Sequence, residues 1–242
     1  MESIPQTIQA VRERMAQAAQ YAQRNPDNIT LIAVSKQKPI ADIIAAYEAG
    51  VRHFGENRTE ELTEKSIALA HLTDLKWHFI GHLQSRQSQE VAKYAHYFHA
   101  LDRVSIAEHL SKRLTKLDRQ LSVFIQVNVS GEPSKSGFAC HQWQTQPQQL
   151  DTLIQSIKQI VRLPNLSIQG LMTMAPWDAP DATLRSIFKN MTELALYLPS
   201  QLPNLPILQL SMGMSGDFEI AIAEGATHVR VGSAIFGERS SK

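Results

Sequence analysis

The 242-residue sequence contains a single cysteine, Cys140. One thiol cannot form an intramolecular disulfide, and it excludes a zinc site built from cysteines alone. The neighbouring residues Phe138, Ala139 and His141 match no motif of a catalytic cysteine. We therefore predict an inert thiol at Cys140. The nine histidines are scattered along the chain, and we predict no metal site.

An excess of charge of one sign and long hydrophobic runs are also lacking. The 24 Lys and Arg residues nearly balance the 23 Asp and Glu residues, so neither a nucleic acid nor an anionic membrane is an expected partner. No apolar run approaches the roughly 20 residues of a membrane-spanning helix. The first residues also lack the basic and apolar segments of a secretion signal. The sequence thus predicts a cytoplasmic protein.

Short apolar runs alternate with helical patterns along the chain. The run 29–34 is almost wholly apolar and rich in β-branched residues, which is typical of a strand buried on both faces of a parallel sheet. Segments 4–15 and 39–47 carry apolar side chains at helical spacing. Further strands are predicted at 51–54, 77–80, 96–100, 121–129, 166–172, 207–211 and 227–231, and further helices include 104–117, 147–161 and 182–198.

Eight such strand–helix units predict a closed (β/α)₈ barrel. A barrel of this kind usually needs about 250 residues, close to the length of this chain. No GxGxxG or Walker loop follows any predicted strand, so an open doubly wound sheet is the weaker alternative. We predict one domain that spans residues 1–242.

Lys36 is the first candidate functional residue, because it directly follows the predicted strand 29–34. Active sites of (β/α)₈ barrels lie at the C-terminal ends of the strands. Burial at such a position favours the neutral amine, which can attack a carbonyl group. A solvated lysine at the end of the strand is the alternative that the residue alone leaves open.

A phosphate site is predicted after the seventh and eighth strands, where barrels often bind phosphate. Ser211 ends the seventh predicted strand, and Gly232 and Ser233 follow the eighth. Glycine lets the backbone approach a ligand closely, and serine adds a hydroxyl donor. Simple turn formation is the alternative. With Lys36 opposite, such a site would suit a phosphorylated aldehyde.

Arg230 precedes Gly232 by two residues and therefore shares its face of the strand. On an inward face, its guanidinium could only donate hydrogen bonds to a ligand. The spacing equally allows an ion pair inside the barrel with a carboxylate such as Glu56. Asn57 and His82 are further polar residues expected at the mouth of the barrel.

At these positions the sequence resembles the pyridoxal phosphate homeostasis proteins (the YggS/PROSC family), over roughly residues 30–239. The motifs that carry the resemblance occur in the family's order: AVSK at 33–36, FGEN at 54–57, HFIGHLQ at 78–84, SKSG at 134–137, GLM at 170–172, LSMGMS at 210–215 and VRVG at 229–232. One departure lies at 86–87, where the chain has Arg-Gln and the family usually has Asn-Lys.

The resemblance implies a fold-type III TIM barrel like the N-terminal domain of alanine racemase. It implies pyridoxal 5′-phosphate (PLP) as the cofactor, held as a Schiff base on Lys36. Phosphate contacts are implied for Ser211, Gly232 and Ser233, and positions around the ring for Asn57, His82, Met172 and Arg230. Lys135 matches a lysine that has been linked to PLP handling in the family.

The function implied by the resemblance is the homeostasis of PLP, other vitamin B6 forms and amino acids, without robust catalysis. Apo forms of PLP-dependent enzymes are then candidate partners, and we expect a monomer. The alternative is an amino-acid racemase, which needs a base on each face of the cofactor. Of the candidates for a second base, the five tyrosines fall in predicted helices or at a strand start, and neither Cys140 nor His82 has support. A Schiff-base aldolase barrel would place its lysine on a later strand.

Overall fold

Eight parallel strands close into a barrel in the computed structural model, which describes residues 3–203, 205 and 208–238. Strands β1 and β9 pair side by side, with Ile32 beside Arg230, and this pairing closes the ring. The strands of the barrel are β1 (Thr30–Val34), β2 (His53–Glu56), β3 (Lys76–Phe79), β4 (Tyr97–Leu101), β5 (Leu121–Asn128), β7 (Leu166–Met172), β8 (Gln209–Met214) and β9 (His228–Val231). The predicted barrel is therefore confirmed.

The sequence did not predict one further strand, the two-residue β6 (Phe138–Ala139), which pairs with the end of β5. The bounds of two predicted strands, β2 and β8, differ from the structure by more than one residue. β2 begins two residues later than predicted, and β8 runs three residues beyond the predicted end at Ser211. The predicted start of β8, Ile207, lies outside the described residues.

One helix follows each of the eight barrel strands, and α1 precedes the first of them. The helices are α1 (Ile4–Tyr21), α2 (Ile40–Glu48), α3 (Thr59–Ala68), α4 (Ser88–Tyr94), α5 (Val104–Leu117), α6 (Pro147–Ile160), α7 (Asp181–Gln201), α8 (Phe218–Ala223) and α9 (Ser233–Phe236). Short 3₁₀ turns lie at Pro26–Asn28 and Ser85–Gln87. Helix α1 buries Ile8, Val11 and Met15 and packs against α8 and α9.

The apolar core lies mainly between the strands and the helices, as the alternation of side chains along each strand requires. Phe54, Phe79 and Phe98 are fully buried in it. The described barrel also buries polar side chains, among them His78, His99, Ser211 and Arg230. Buried polar groups need hydrogen-bond partners, so these residues connect the fold with the functional site.

Within the described ranges, no helix combines the length and the apolar character needed to cross a membrane. Cys140 is buried, and its burial raises the pKa of the thiol to about 12. The reactive thiolate is therefore scarce at neutral pH, which agrees with the predicted inert role.

Candidate functional site

A cavity of about 630 Å³ lies at the carboxyl ends of the barrel strands. Its volume falls within the range of small-molecule sites, about 300–1,000 Å³. Most of the predicted site residues line it, namely Lys36, Asn57, His82, Met172, Arg230, Gly232 and Ser233. The other lining residues are Val34, Lys38, Ile80, Gly81, Met174, Trp177, Met214, Ser215, Gly237 and Glu238. The structure thus brings an amine, a guanidinium, hydroxyl groups and apolar side chains to one space.

Ser211 does not line this cavity, contrary to the prediction from the sequence. Its side chain is fully buried inside the barrel, where its Oγ accepts a hydrogen bond from Arg230 Nη1 at 2.7 Å and lies 2.8 Å from His99 Nδ1. The cause is the greater length of β8, which continues to Met214 and leaves Ser211 in the middle of the strand.

Ser215 occupies the strand end that the prediction assigned to Ser211. Its Oγ accepts hydrogen bonds from the backbone N–H groups of Gly232 at 3.1 Å and Ala234 at 3.4 Å. Gly213, two residues before Ser215, gives the backbone the conformation needed here. Its φ is +93°, and an added Cβ would lie 2.7 Å from Ala221 Cβ. Ser215 was not among the predicted site residues, although the same LSMGMS motif contains it.

The Arg230 side chain is buried, and only 4% of the residue is exposed. Its Nη2 donates to the carbonyl oxygen of Thr173 at 2.9 Å, and its Nη1 donates to Ser211. Burial lowers the pKa of Arg230 to about 10, and the charge of Asp217 opposes this shift. The guanidinium is therefore charged at neutral pH. The alternative ion pair with Glu56 is not formed, because that carboxylate binds Lys65 instead.

Lys65 is the centre of a buried hydrogen-bond network that reaches the backbone of Ser35, the residue before Lys36. Its Nζ donates to Glu56 Oε1 at 2.8 Å and to the carbonyl oxygen of Ser35 at 2.9 Å. The Ser35 hydroxyl donates to the same carboxylate oxygen at 2.6 Å. Burial raises the pKa of Glu56, while the charge of Lys65 and these hydrogen bonds act against that rise.

The same network fixes the backbone on the other side of Lys36. Glu61 Oε2 accepts hydrogen bonds from Lys65 Nζ at 2.8 Å and from the backbone N–H of Gln37 at 2.6 Å. Gln37 has a φ of +60°, which a non-glycine residue adopts only when its surroundings hold it there. Both residues that flank Lys36 are thus held by α3, which limits where the lysine side chain can lie.

The mouth of the cavity is formed by the ends of neighbouring strands. An added Cβ at Gly81 would lie 2.2 Å from the carbonyl oxygen of Asn57, so only glycine allows this approach. The half-exposed side chain of His82 lies with its Nδ1 3.2 Å from Asp102 Oδ2. Lys38 Nζ donates to the carbonyl oxygen of Phe236 at 2.7 Å, which connects the loop after β1 with α9.

Lys135 lies beside the cavity rather than on its lining. Its Nζ lies 3.5 Å from the carbonyl oxygen of Ala175, in the loop that carries Met174 and Trp177. The departure from the family pattern at 86–87 falls in the 3₁₀ turn Ser85–Gln87, where Arg86 is exposed. Neither position touches the cavity in the described structure.

The groups available for acid–base chemistry are few. Among the described lining residues there is neither a tyrosine nor a cysteine, and His82 is the one histidine. No cluster of three or more His, Cys, Asp or Glu side chains in the described part of the chain could hold a metal ion. The arrangement can bind an aldehyde through Lys36 and an anion near Ser215.

This chain is similar to known proteins in both sequence and structure. The family model described as "Alanine racemase, N-terminal domain" matches residues 7–240. The alanine racemase of Clostridium difficile 630 is only 13% identical, with a TM-score of 0.68 over 100% of this chain and 58% of that chain. This likeness shows a shared fold.

Closer relatives share more of the sequence. The pyridoxal phosphate homeostasis protein of Pseudomonas aeruginosa is 44% identical over 99% of this chain and 97% of the relative. The structure of PipY from Synechococcus elongatus PCC7942 with PLP bound is 36% identical, with a TM-score of 0.78 over 92% of this chain and 100% of that chain. This chain therefore belongs to the family of the pyridoxal phosphate homeostasis proteins.

Proposed function

We propose that this protein binds PLP in the cavity and acts as a PLP carrier or regulator rather than as an enzyme. The observation that carries the proposal is the position of Lys36 on the same cavity as Ser215, Gly232 and Ser233. The name of the Pseudomonas aeruginosa relative and the PLP-bound structure of PipY support it.

The donor groups of the cavity fit the chemistry of PLP. An aldehyde requires an amine, and Lys36 offers one. A phosphate requires several donors that converge, and the N–H groups of Gly232 and Ala234 already converge on Ser215 Oγ. A pyridine nitrogen accepts a hydrogen bond, and Arg230 can only donate. The apolar side chain of Met172 suits the ring.

Removal of the Ser215 hydroxyl should weaken PLP binding by about 10-fold or more. Hydrogen bonds to charged groups contribute about 1.5–3 kcal/mol, and 1.4 kcal/mol corresponds to a factor of ten. The dissociation constant of PLP for Ser215→Ala can be measured by absorbance titration. Ser105→Ala, which removes an exposed hydroxyl on α5, is the matched control. Equal affinity of the unsubstituted protein for PLP and for pyridoxal, which lacks the phosphate, would contradict a phosphate site.

The same cavity explains why catalysis is not expected. PLP supplies an aldehyde and an electron-withdrawing ring. Arg230 is charged at neutral pH and donates hydrogen bonds only, so it cannot deliver a proton to the ring nitrogen and keep its charge. A racemase also needs a second base, and Cys140 is buried away from the cavity. Of the second-base candidates considered from the sequence, only the rim histidine His82 lines the cavity in its described part.

We expect Cα-deuterium exchange of L-alanine in heavy water to be no faster with the PLP-loaded protein than with free PLP. A positioned general base contributes about 10²–10⁴ in rate, and the proposal assigns no second base to the site. The exchange can be followed by NMR, with the Lys36→Ala variant as the control. Exchange at enzyme-like rates that disappears in Lys36→Ala would instead establish the racemase alternative.

Other vitamin B6 forms and apo PLP-dependent enzymes are the partners that this function implies. The monomeric state, the single domain and the cytoplasmic location stay predictions from the sequence.

A further inference from the structure

A column of hydrogen-bonded histidines runs through the interior of the barrel to the candidate site. His53 Nδ1 lies 2.8 Å from His78 Nε2, and His78 Nδ1 lies 2.8 Å from His99 Nε2. His99 Nδ1 lies 2.8 Å from Ser211 Oγ, which accepts from Arg230 Nη1. We call these residues, His53, His78, His99 and Ser211, the histidine column. It links the amino-terminal end of the barrel with the cavity.

Aromatic rings pack along the buried part of the histidine column. Tyr97 stacks on His78 with ring centroids 4.3 Å apart, and Phe124 stacks on His99 at 4.4 Å. Both imidazoles are fully buried, and this burial holds their pKa values well below the usual range. Each of these rings is therefore neutral at neutral pH, with one donor and one acceptor nitrogen.

Arg230 determines the direction of every hydrogen bond in the column. Because a guanidinium can only donate, Ser211 Oγ must accept from it. The Ser211 hydroxyl proton is then left for His99 Nδ1, so the proton of His99 lies on Nε2. That nitrogen donates to His78 Nδ1, and His78 in turn donates from Nε2 to His53. All donors thus point away from the cavity.

The reverse direction is unfavourable for a definite reason. If His99 donated to Ser211, the buried hydroxyl would receive two donors and its own proton would have no acceptor among its described neighbours. An unsatisfied buried donor costs more than a typical hydrogen bond contributes. The column therefore does not conduct protons to Arg230, since the guanidinium cannot accept one.

We propose that the histidine column holds the guanidinium of Arg230 in place at the cofactor cavity, with Ser211 and His99 as positioning residues. The effect on the cofactor rests on the proposed function. In this role Ser211 affects PLP binding without touching PLP. Its hydroxyl holds Nη1 of Arg230, and the carbonyl oxygen of Thr173 holds Nη2.

The first test needs neither a variant nor the cofactor. In the full-length protein labelled with ¹⁵N in histidine, without added PLP at neutral pH, His78 and His99 should both be neutral with the proton on Nε2. NMR spectra of the ring nitrogens distinguish this state from the other tautomer and from the charged ring. A proton on Nδ1 of His99, or a charged imidazole in either residue, would overturn the proposal.

The second test asks whether Ser211 acts through Arg230. Ser211→Ala should speed hydrogen exchange of the Arg230 guanidinium in the protein without PLP, and should weaken PLP binding by about 10-fold. In an Arg230→Gln background, Ser211→Ala should weaken PLP binding by less than about twofold, because residues that act through one contact are not additive. His99→Phe, which removes the acceptor of the Ser211 hydroxyl, is a second variant with the same expected direction.

Tyr97→Phe is the matched control, because it keeps the stack on His78 and leaves the hydrogen bonds of the column intact. Tyr97→Phe should change neither the hydrogen exchange of the Arg230 guanidinium nor the affinity for PLP. If the unsubstituted protein binds no PLP, the proposed function fails, while the tautomers and the Arg230 exchange still test the column. If it binds PLP but Ser211→Ala changes neither exchange nor affinity, the column proposal fails and the function stands.

Discussion

Replacement of Lys36 with alanine should abolish the covalent retention of PLP after borohydride reduction. Borohydride converts the carbon–nitrogen double bond between a lysine and PLP into a stable single bond, so the reduced protein keeps the cofactor through denaturation. In the proposed site Lys36 is the amine, because it lines the cavity that also contains Ser215. Mass spectrometry of peptides from the unsubstituted protein should find the adduct on the peptide that contains Lys36.

Two further variants test whether the adduct depends on the Lys36 amine itself, rather than on its positive charge or on the nearby Lys38. Lys36→Arg keeps a positive charge without a nucleophilic amine, so it should also lose the adduct. Lys38→Met should retain the adduct, since the Lys38 amine donates to the carbonyl oxygens of Phe236 and Glu238. An adduct found mainly on another lysine of the unsubstituted protein would contradict the assignment.

Lys65→Met should lower the free energy of unfolding by about 3–5 kcal/mol, the usual effect of removing one partner of a buried ion pair. The side chain of Lys65 is 6% exposed and that of Glu56 is fully buried. Methionine keeps the aliphatic length but leaves Glu56 without its counter-charge. Denaturant titration followed by circular dichroism measures the change.

The loss should be greatest at neutral pH and smaller in acid. Burial already raises the pKa of Glu56 above its usual 4.5 in the folded protein, and loss of Lys65 removes an opposing effect. A carboxyl with a raised folded pKa favours folding below its unfolded pKa, and this contribution disappears as the pH rises through the folded value. Lys112→Met, at an exposed position of α5, should change stability by less than about 0.5 kcal/mol. An equally small change in Lys65→Met would contradict a structural role for the pair.

The barrel could be predicted because its signals are local. The run 29–34 is apolar on both faces, and helical patterns precede and follow it. Repeated eight times, this alternation leaves few ways to bury every strand, and a closed ring is one of them. Strand ends were harder to place, because a residue such as Gly213 is compatible with both a strand and a turn. The two-residue β6 has no sequence pattern long enough to be detected.

The error at Ser211 shows how a strand end affects the assignment of a site. A prediction that ends β8 at Ser211 places its hydroxyl at the cavity. In the structure β8 continues to Met214, so Ser211 faces Arg230 inside the barrel and Ser215 reaches the cavity. The residue types of the site could be read from the sequence, but the choice between two serines four residues apart depended on strand length.

By itself, the sequence determined the barrel, the lysine at the end of β1 and the membership of the family, since each rests on residues that are near one another along the chain or on ordered motifs. Only the tertiary structure decided the partners of buried polar groups. Glu56 was a possible partner of Arg230 by spacing, yet it binds Lys65 of α3, while Arg230 binds Ser211 and Thr173. The histidine column likewise joins β2, β3, β4 and β8, whose register sets each contact. A buried donor binds whichever acceptor the packing brings within reach, and that acceptor can be any distance away in the sequence.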